Sequence, residues 1–193
     1  MIPAALKTAI FSSLPKTVTV DSDALNVEVE YAEKVADVQA RLASTGKPVL
    51  LTLRYFADRR SEGESPTDVL GRTTQPNGAY EDIVYERGER RLVTLSLSIH
   101  ALDVETPHYH DRSDVVEAYA TALQTWLLKD LPAVLEQHGA ALRGSSPVAD
   151  LTFLAGGSMA RRSLDLFLIY TQSFQEVVTT IESEEIDAST QPQ

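Results

Sequence analysis

Three histidines are the residues with the most evident chemical potential. In His108-Tyr109-His110-Asp111 two imidazoles occupy alternate positions. On an extended segment such side chains point to the same side. His100 precedes them, and Asp111 and Asp114 follow. Neutral imidazoles bind zinc and similar ions, and a neighbouring carboxylate can serve as a ligand or a general base. A small metal-dependent enzyme is therefore one chemistry these residues permit. Their spacing argues against it, because structural zinc sites take about four ligands and none of the usual intervals occurs here. The segment reads better as a polar loop leading into a helix. Gly156-Gly157 lacks the Lys-Ser/Thr of a phosphate-binding loop, so nucleotide binding has no support. Cysteine is absent, which removes disulfides, thiolate ligands and cysteine nucleophiles. The expectation is a protein without catalytic residues, metal or cofactor.

Composition narrows the classes further. The 193 residues suffice for one domain with a proper core and barely for two small ones. The chain is 43% hydrophobic and 23% charged, which is ordinary for a globular protein. No apolar run reaches the roughly eighteen residues of a membrane span. The start, Met1-Ile2-Pro3-Ala4-Ala5-Leu6-Lys7, has no basic segment followed by an apolar one, so no secretory signal is expected. Formal net charge is −11, with 28 acids against 17 bases, of which five are lysines. Such a surface repels nucleic-acid phosphates, which argues against DNA binding as the main activity.

The elements that would position these residues centre on 91–101. Val93, Leu95, Leu97, Ile99 and Ala101 share one parity, and Leu92, Thr94, Ser96, Ser98 and His100 the other. This predicts a long strand with one face on a core. A charged turn at Arg87-Gly88-Glu89 would join it in a hairpin to a strand at 81–86, with Gly88 supplying a positive backbone dihedral. Before it, residues 2–14 carry apolar groups at helical spacing, 17–20 and 26–31 read as short strands, and Asp21-Ser22-Asp23 as a turn. Residues 32–44 read as a helix stopped by Gly46. Residues 48–56 are almost continuously apolar, as in a central strand. Residues 57–80 lack periodicity and read as a long loop. After the histidines, Ser113 is the expected N-cap of the longest helix, which runs to 138 with a break at Asp130-Leu131-Pro132. Its stripe is Val116, Tyr119, Ala120, Leu123, Trp126, Leu127 and Leu131. Strands are expected at 148–153, 162–171 and 174–183, with a turn at 154–158. The end, 182–193, is acidic and then polar, a tail that is disordered or ordered only against a partner. The fold class is α+β: a mixed, largely antiparallel sheet packed by one long helix and shorter ones.

This order of elements resembles the neck and tail terminator family of tailed phages. The likeness spans about residues 46–187. It is carried by Leu53-Arg54-Tyr55-Phe56-Ala57-Asp58-Arg59-Arg60, by 92–101, by 161–174 and by 180–186. Residues 1–45 stand outside it as a peripheral N-terminal extension, and 188–193 as a polar tail. The resemblance implies a structural virion protein, made in the host cytoplasm and placed at the head–tail junction. There a ring, commonly of six subunits, would cap the tail tube and join it to the head connector. Its partners would be its own copies, the tube protein and a connector or neck adaptor, and DNA would pass through the lumen without specific binding. Another neck or head-completion adaptor is the nearest alternative. The contact residues expected for neighbouring subunits or the tube are Arg59 and Arg60 in the loop and Glu86, Arg87, Glu89, Arg90 and Arg91 at the hairpin tip.

Overall fold

A computed structural model describes residues 2–60, 68–77, 80–105, 108–152 and 159–178. The described chain is α+β, with four α-helices and eight strands. The strands β1 (Thr17–Val20), β2 (Asp23–Tyr31), β3 (Val49–Arg60), β4 (Asp68–Asn77), β5 (Tyr80–Ala101), β6 (Ala140–Ser145), β7 (Ala149–Asp150) and β8 (Ala160–Val178) run in the order β1-β2-β3-β5-β8-β6, with β4 also on β5 and β7 also on β8. β1–β2, β3–β5, β4–β5, β6–β8 and β7–β8 pair antiparallel, and β2–β3 parallel. Two compact units divide the chain: Met1–Ser61 with Arg90–Thr171, and Glu62–Glu89 with Gln172–Gln193.

The first unit holds the helices. Helix α1 (Ala4–Ser13) turns Leu6 and Ile10 inward. Strands β1 (Thr17–Val20) and β2 (Asp23–Tyr31) form a hairpin in which Val20 faces Asp23. Its two turn residues, Asp21 and Ser22, have φ of 46° and 80°. That sign at both positions gives the turn a twist matching its strands. A 3-10 turn (Ala32–Lys34) and α2 (Val38–Thr45) replace the single helix expected over 32–44. Between them Asp37 caps α2 by accepting from the backbone N–H of Ala40 at 3.0 Å. Gly46 ends α2 at φ 65°, as its position in the sequence implies.

Strand β3 (Val49–Arg60) lies between β2 and β5, in the central place its apolar run predicts. Every residue from Val49 to Leu53 is buried. Odd-numbered Val49, Leu51 and Leu53 join the main core with Val93, Leu95, Leu97, Ile99 and Ala101 of β5 (Tyr80–Ala101). Leu164, Leu166, Leu168 and Tyr170 of β8 (Ala160–Val178) complete that layer. Leu50, of opposite parity, packs in a smaller cluster with Leu42 of α2 and with Met159.

Helix α3 (Arg112–Lys129) covers the main face with Val116, Tyr119, Leu123 and Trp126, all at most 1% exposed. Full burial of each such side chain contributes roughly 1.5–3 kcal/mol. Asp111, and not Ser113, is the N-cap: its carboxylate accepts from the Ser113 backbone N–H at 2.8 Å. The chain breaks at Asp130 and continues as α4 (Leu131–Gln137), with Pro132 in its first turn, where no backbone donor is missed. One long helix is thus two consecutive ones. Strand β6 (Ala140–Ser145), which follows Gly139 at φ 61°, was not legible in the sequence. Among the described residues of the strand expected at 148–153, β7 spans Ala149–Asp150. The turn at 154–158 and the tail from 179 onward lie outside the described residues.

The first 45 residues are not peripheral. Ile2, Leu6, Ile10, Leu14, Val18, Val20, Leu25 and Val27 all belong to the main core. The Tyr119 hydroxyl donates to the Pro15 carbonyl at 2.7 Å, and the Trp126 indole N–H to Ser13 Oγ at 3.1 Å. The apolar spacing of this segment was visible, but its destination is set by residues a hundred positions away.

In the second unit, β4 (Asp68–Asn77) occupies ten residues of the expected loop 57–80, and in the first unit β3 reaches Arg60. Strand β4 pairs with the first half of β5, Asn77 facing Tyr80 and Asp68 facing Gly88. Gly88 therefore sits inside a ladder, opposite Asp68, and not in the expected turn. The strand expected at 174–183 is, to Val178, a continuation of β8.

Candidate functional site

The expected contact residues lie on continuous strand, not on a hairpin tip. Arg59 and Arg60 end β3 in register with Leu92 and Arg91 of β5. A register shift between Phe56 and Arg59 precedes them. In the first unit these two join Arg90 and Arg91, with Arg59 and Arg90 exposed. Glu86, Arg87 and Glu89 belong to the second unit. There Glu86 faces Gly71, and Arg87 faces Val69. The Arg87 guanidinium donates to the Glu176 carboxylate on β8 and lies 5.6 Å from the Tyr85 ring. Arg72 approaches the same ring at 5.9 Å. Arg87, expected in a turn, is thus a cross-strand partner of Glu176, the kind of pair by which a sheet is stabilised.

Sequence reasoning missed what stands beside them. In the second unit Val69, Phe174, Val177 and Val178 are exposed by 43–54%. Residues 172–178 of β8 are exposed throughout, although Val84 of β5 is buried. Among the described residues no helix belongs to this unit. The signal was present in Phe174-Gln175-Glu176-Val177-Val178, where apolar groups take both parities.

The histidine segment forms a separate arrangement in the first unit. His108 Nδ1–H and His110 Nε2–H both donate to Asp23 Oδ2, each at 2.8 Å. These bonds hold the Asp23 carboxyl below its ordinary range, the one from His110 foremost. His110 is buried, with Nδ1 3.8 Å from Asp21 Oδ2, and its backbone exchanges two hydrogen bonds with Val104. His108 is exposed. The cluster clamps the β1–β2 turn to the segment before α3. Among the described residues no three His, Asp or Glu side chains are arranged to hold a metal ion. His100 does not join the other two. It is buried, and burial together with the Arg161 charge pushes its pKa down to about 4, so the ring is neutral at pH 7.

No helix among the described residues is long and apolar enough to cross a membrane. Comparison with protein-family models and with curated proteins finds no match.

Proposed function

We propose that this chain is a structural virion protein of the head–tail junction, a tail terminator whose copies form a ring capping the tail tube. The reading rests on the resemblance in element order. The observation that supports it best is the exposure of Val69, Phe174, Val177 and Val178 on the strands of the second unit. Exposed apolar groups gathered on paired strands mark a surface for another protein. Strands offer both side chains and backbone to a neighbour. A head-to-tail contact of this kind closes into a ring when its rotation divides the circle. In such a ring an acidic lumen would repel DNA and keep it from adhering during passage.

Immunogold electron microscopy of intact tailed particles, with antibody raised against the purified chain, tests the assignment. Gold confined to the head–tail junction is expected. Gold along the tail or at its tip would replace the terminator with a tube or baseplate role. Particles free of gold would end the virion reading. The rival, a metal-dependent enzyme, draws on the meeting of His108 and His110 at Asp23. Those ring nitrogens are engaged in hydrogen bonds with its carboxylate. Metal analysis of the purified protein should find no stoichiometric ion, and finding one would restore the rival.

A further inference from the structure

Helix α1 presents a second face. Leu6 and Ile10 point into the core, while Ala4, Lys7 and Thr8 line a surface cleft of about 420 Å³. Its other walls are Tyr31 at the end of β2, Glu33 and Lys34 of the 3-10 turn, and Tyr55 of β3. The aromatic groups are ordered: Phe11 stacks on Tyr31 at 5.1 Å, and Tyr31 meets Tyr55 at 6.4 Å. The Lys7 ammonium stands 5.1 Å from the Tyr55 ring centre. The Tyr55 hydroxyl is buried and, among the described residues, has no hydrogen-bond partner.

Charge makes the cleft unusual. The chain carries −11 and only five lysines, and two of those five line this one cleft. Lys47, by contrast, pairs with Glu28. Among the described residues neither Lys7 nor Lys34 has a carboxylate within 4.0 Å, although Glu33 stands nearby in the wall. Two unbalanced ammoniums beside aromatic rings favour an anionic ligand with apolar groups of its own.

The chain carries a segment of that chemistry. Ile181-Glu182-Ser183-Glu184-Glu185-Ile186-Asp187 has four carboxylates, no base and two isoleucines. It follows the last described residue, Val178, closely. Fully extended, the nine residues 179–187 would span at most about 30 Å.

We propose that residues 182–187 of one copy dock in the Lys7–Lys34 cleft of the next, forming the head-to-tail contact of a self-assembly. The carboxylates of the segment are the counter-charge that the two ammoniums of the cleft call for. Copies of net charge −11 repel one another, so an assembly gains most where unpaired cations meet anions. Such a contact supplies a subunit link for the ring reading on which it rests, and it is measurable in the purified full-length chain without any virion.

Sedimentation velocity across a concentration series is the test, on three sets of full-length variants. One neutralises the tail (Glu182→Gln, Glu184→Gln, Glu185→Gln, Asp187→Asn). One reverses the cleft (Lys7→Glu, Lys34→Glu). The third joins the reversed cleft to lysines at the four tail positions. The unmodified chain is expected to self-associate, more weakly as salt rises. The first two sets should weaken association by at least about tenfold, and the third should recover it. The tail set leaves every described side chain unchanged, so its result stands even where the cleft variant misfolds, which circular dichroism reports. A chain that stays monomeric, a neutralised tail that associates like the unmodified one, or a swap without recovery each overturns the proposal. Gold at the head–tail junction together with any of these would remove the tail contact and keep the neck assignment. Tail-dependent association without that gold would do the reverse.

Discussion

The two compact units share their longest strands and differ in what those strands bury. In the first, β5 turns Val93, Leu95, Leu97 and Ile99 into a core closed by α1, α3 and α4, and β8 does the same with Leu164, Leu166 and Leu168. In the second, β5 buries Asp82, Val84 and Gly88, of the other parity, and β8 exposes residues 172–178. Parity alone therefore does not decide burial; a covering layer does. Strands without such a layer depend on ladder hydrogen bonds and cross-strand pairs such as Arg87 with Glu176. A few strands by themselves are marginal in water.

The contrast can be broken most forcefully at Trp126. It is 1% exposed and its indole donates to Ser13. Trp126→Ala should cost about 3–5 kcal/mol in urea unfolding, because a large cavity opens and the N-terminal segment loses its anchor. A loss under about 1 kcal/mol would mean that the helical layer is not what stabilises the first unit.

His100 gives the next largest effect. Its folded pKa of about 4 lies below the ordinary value of 6.5, so the unfolded chain takes up the proton first. Stability contributed by the neutral ring is full above pH 6.5 and declines as pH falls toward 4, by roughly 3 kcal/mol in total. His100→Leu should flatten that part of the curve of unfolding midpoint against pH. An unchanged slope would place the acid sensitivity elsewhere.

In the second unit the expected effects are smaller. Glu176→Gln removes a partly exposed ion pair and should cost about 1 kcal/mol or less, read by hydrogen exchange at residues 80–88. Exchange there that is insensitive to the change would show that the pair does not support the ladder. Phe174→Ser should change the stability of the isolated chain by less than about 0.5 kcal/mol, since the ring is 54% exposed. A larger loss would give Phe174 a structural role inside the unit and weaken its reading as a contact surface.

Legibility followed the same division. The strand at 91–101, the central strand from Val49, the stripe from Val116 to Trp126 and the stop at Gly46 were readable because each has a regular partner layer that imposes a period. The second unit was misread because its residues answer to cross-strand neighbours. Gly88, surrounded by charge, has the local chemistry of a turn, yet it faces Asp68 in a ladder. Ser113 looks like a cap, but Asp111 takes that place two residues earlier. The histidine pair was found by spacing. Its partner Asp23 was not, because a turn far earlier in the chain brings the carboxylate to it. The cleft at Lys7 and Lys34 had no local signal, since it is assembled from a helix, two strand segments and a 3-10 turn.

The seating of Ser13 and Pro15 against Trp126 and Tyr119 also sets the order in which the molecule can be made. The ribosome releases α1 and the first hairpin early, but the helix that receives them follows a hundred residues later, and β8 later still. Loop closure over such separations is slow. At about 5–20 residues per second of synthesis, the apolar face of α1 waits several seconds for its counterpart. A chain interrupted before Tyr119 would lack the partners that Pro15 and Ser13 meet in the folded molecule.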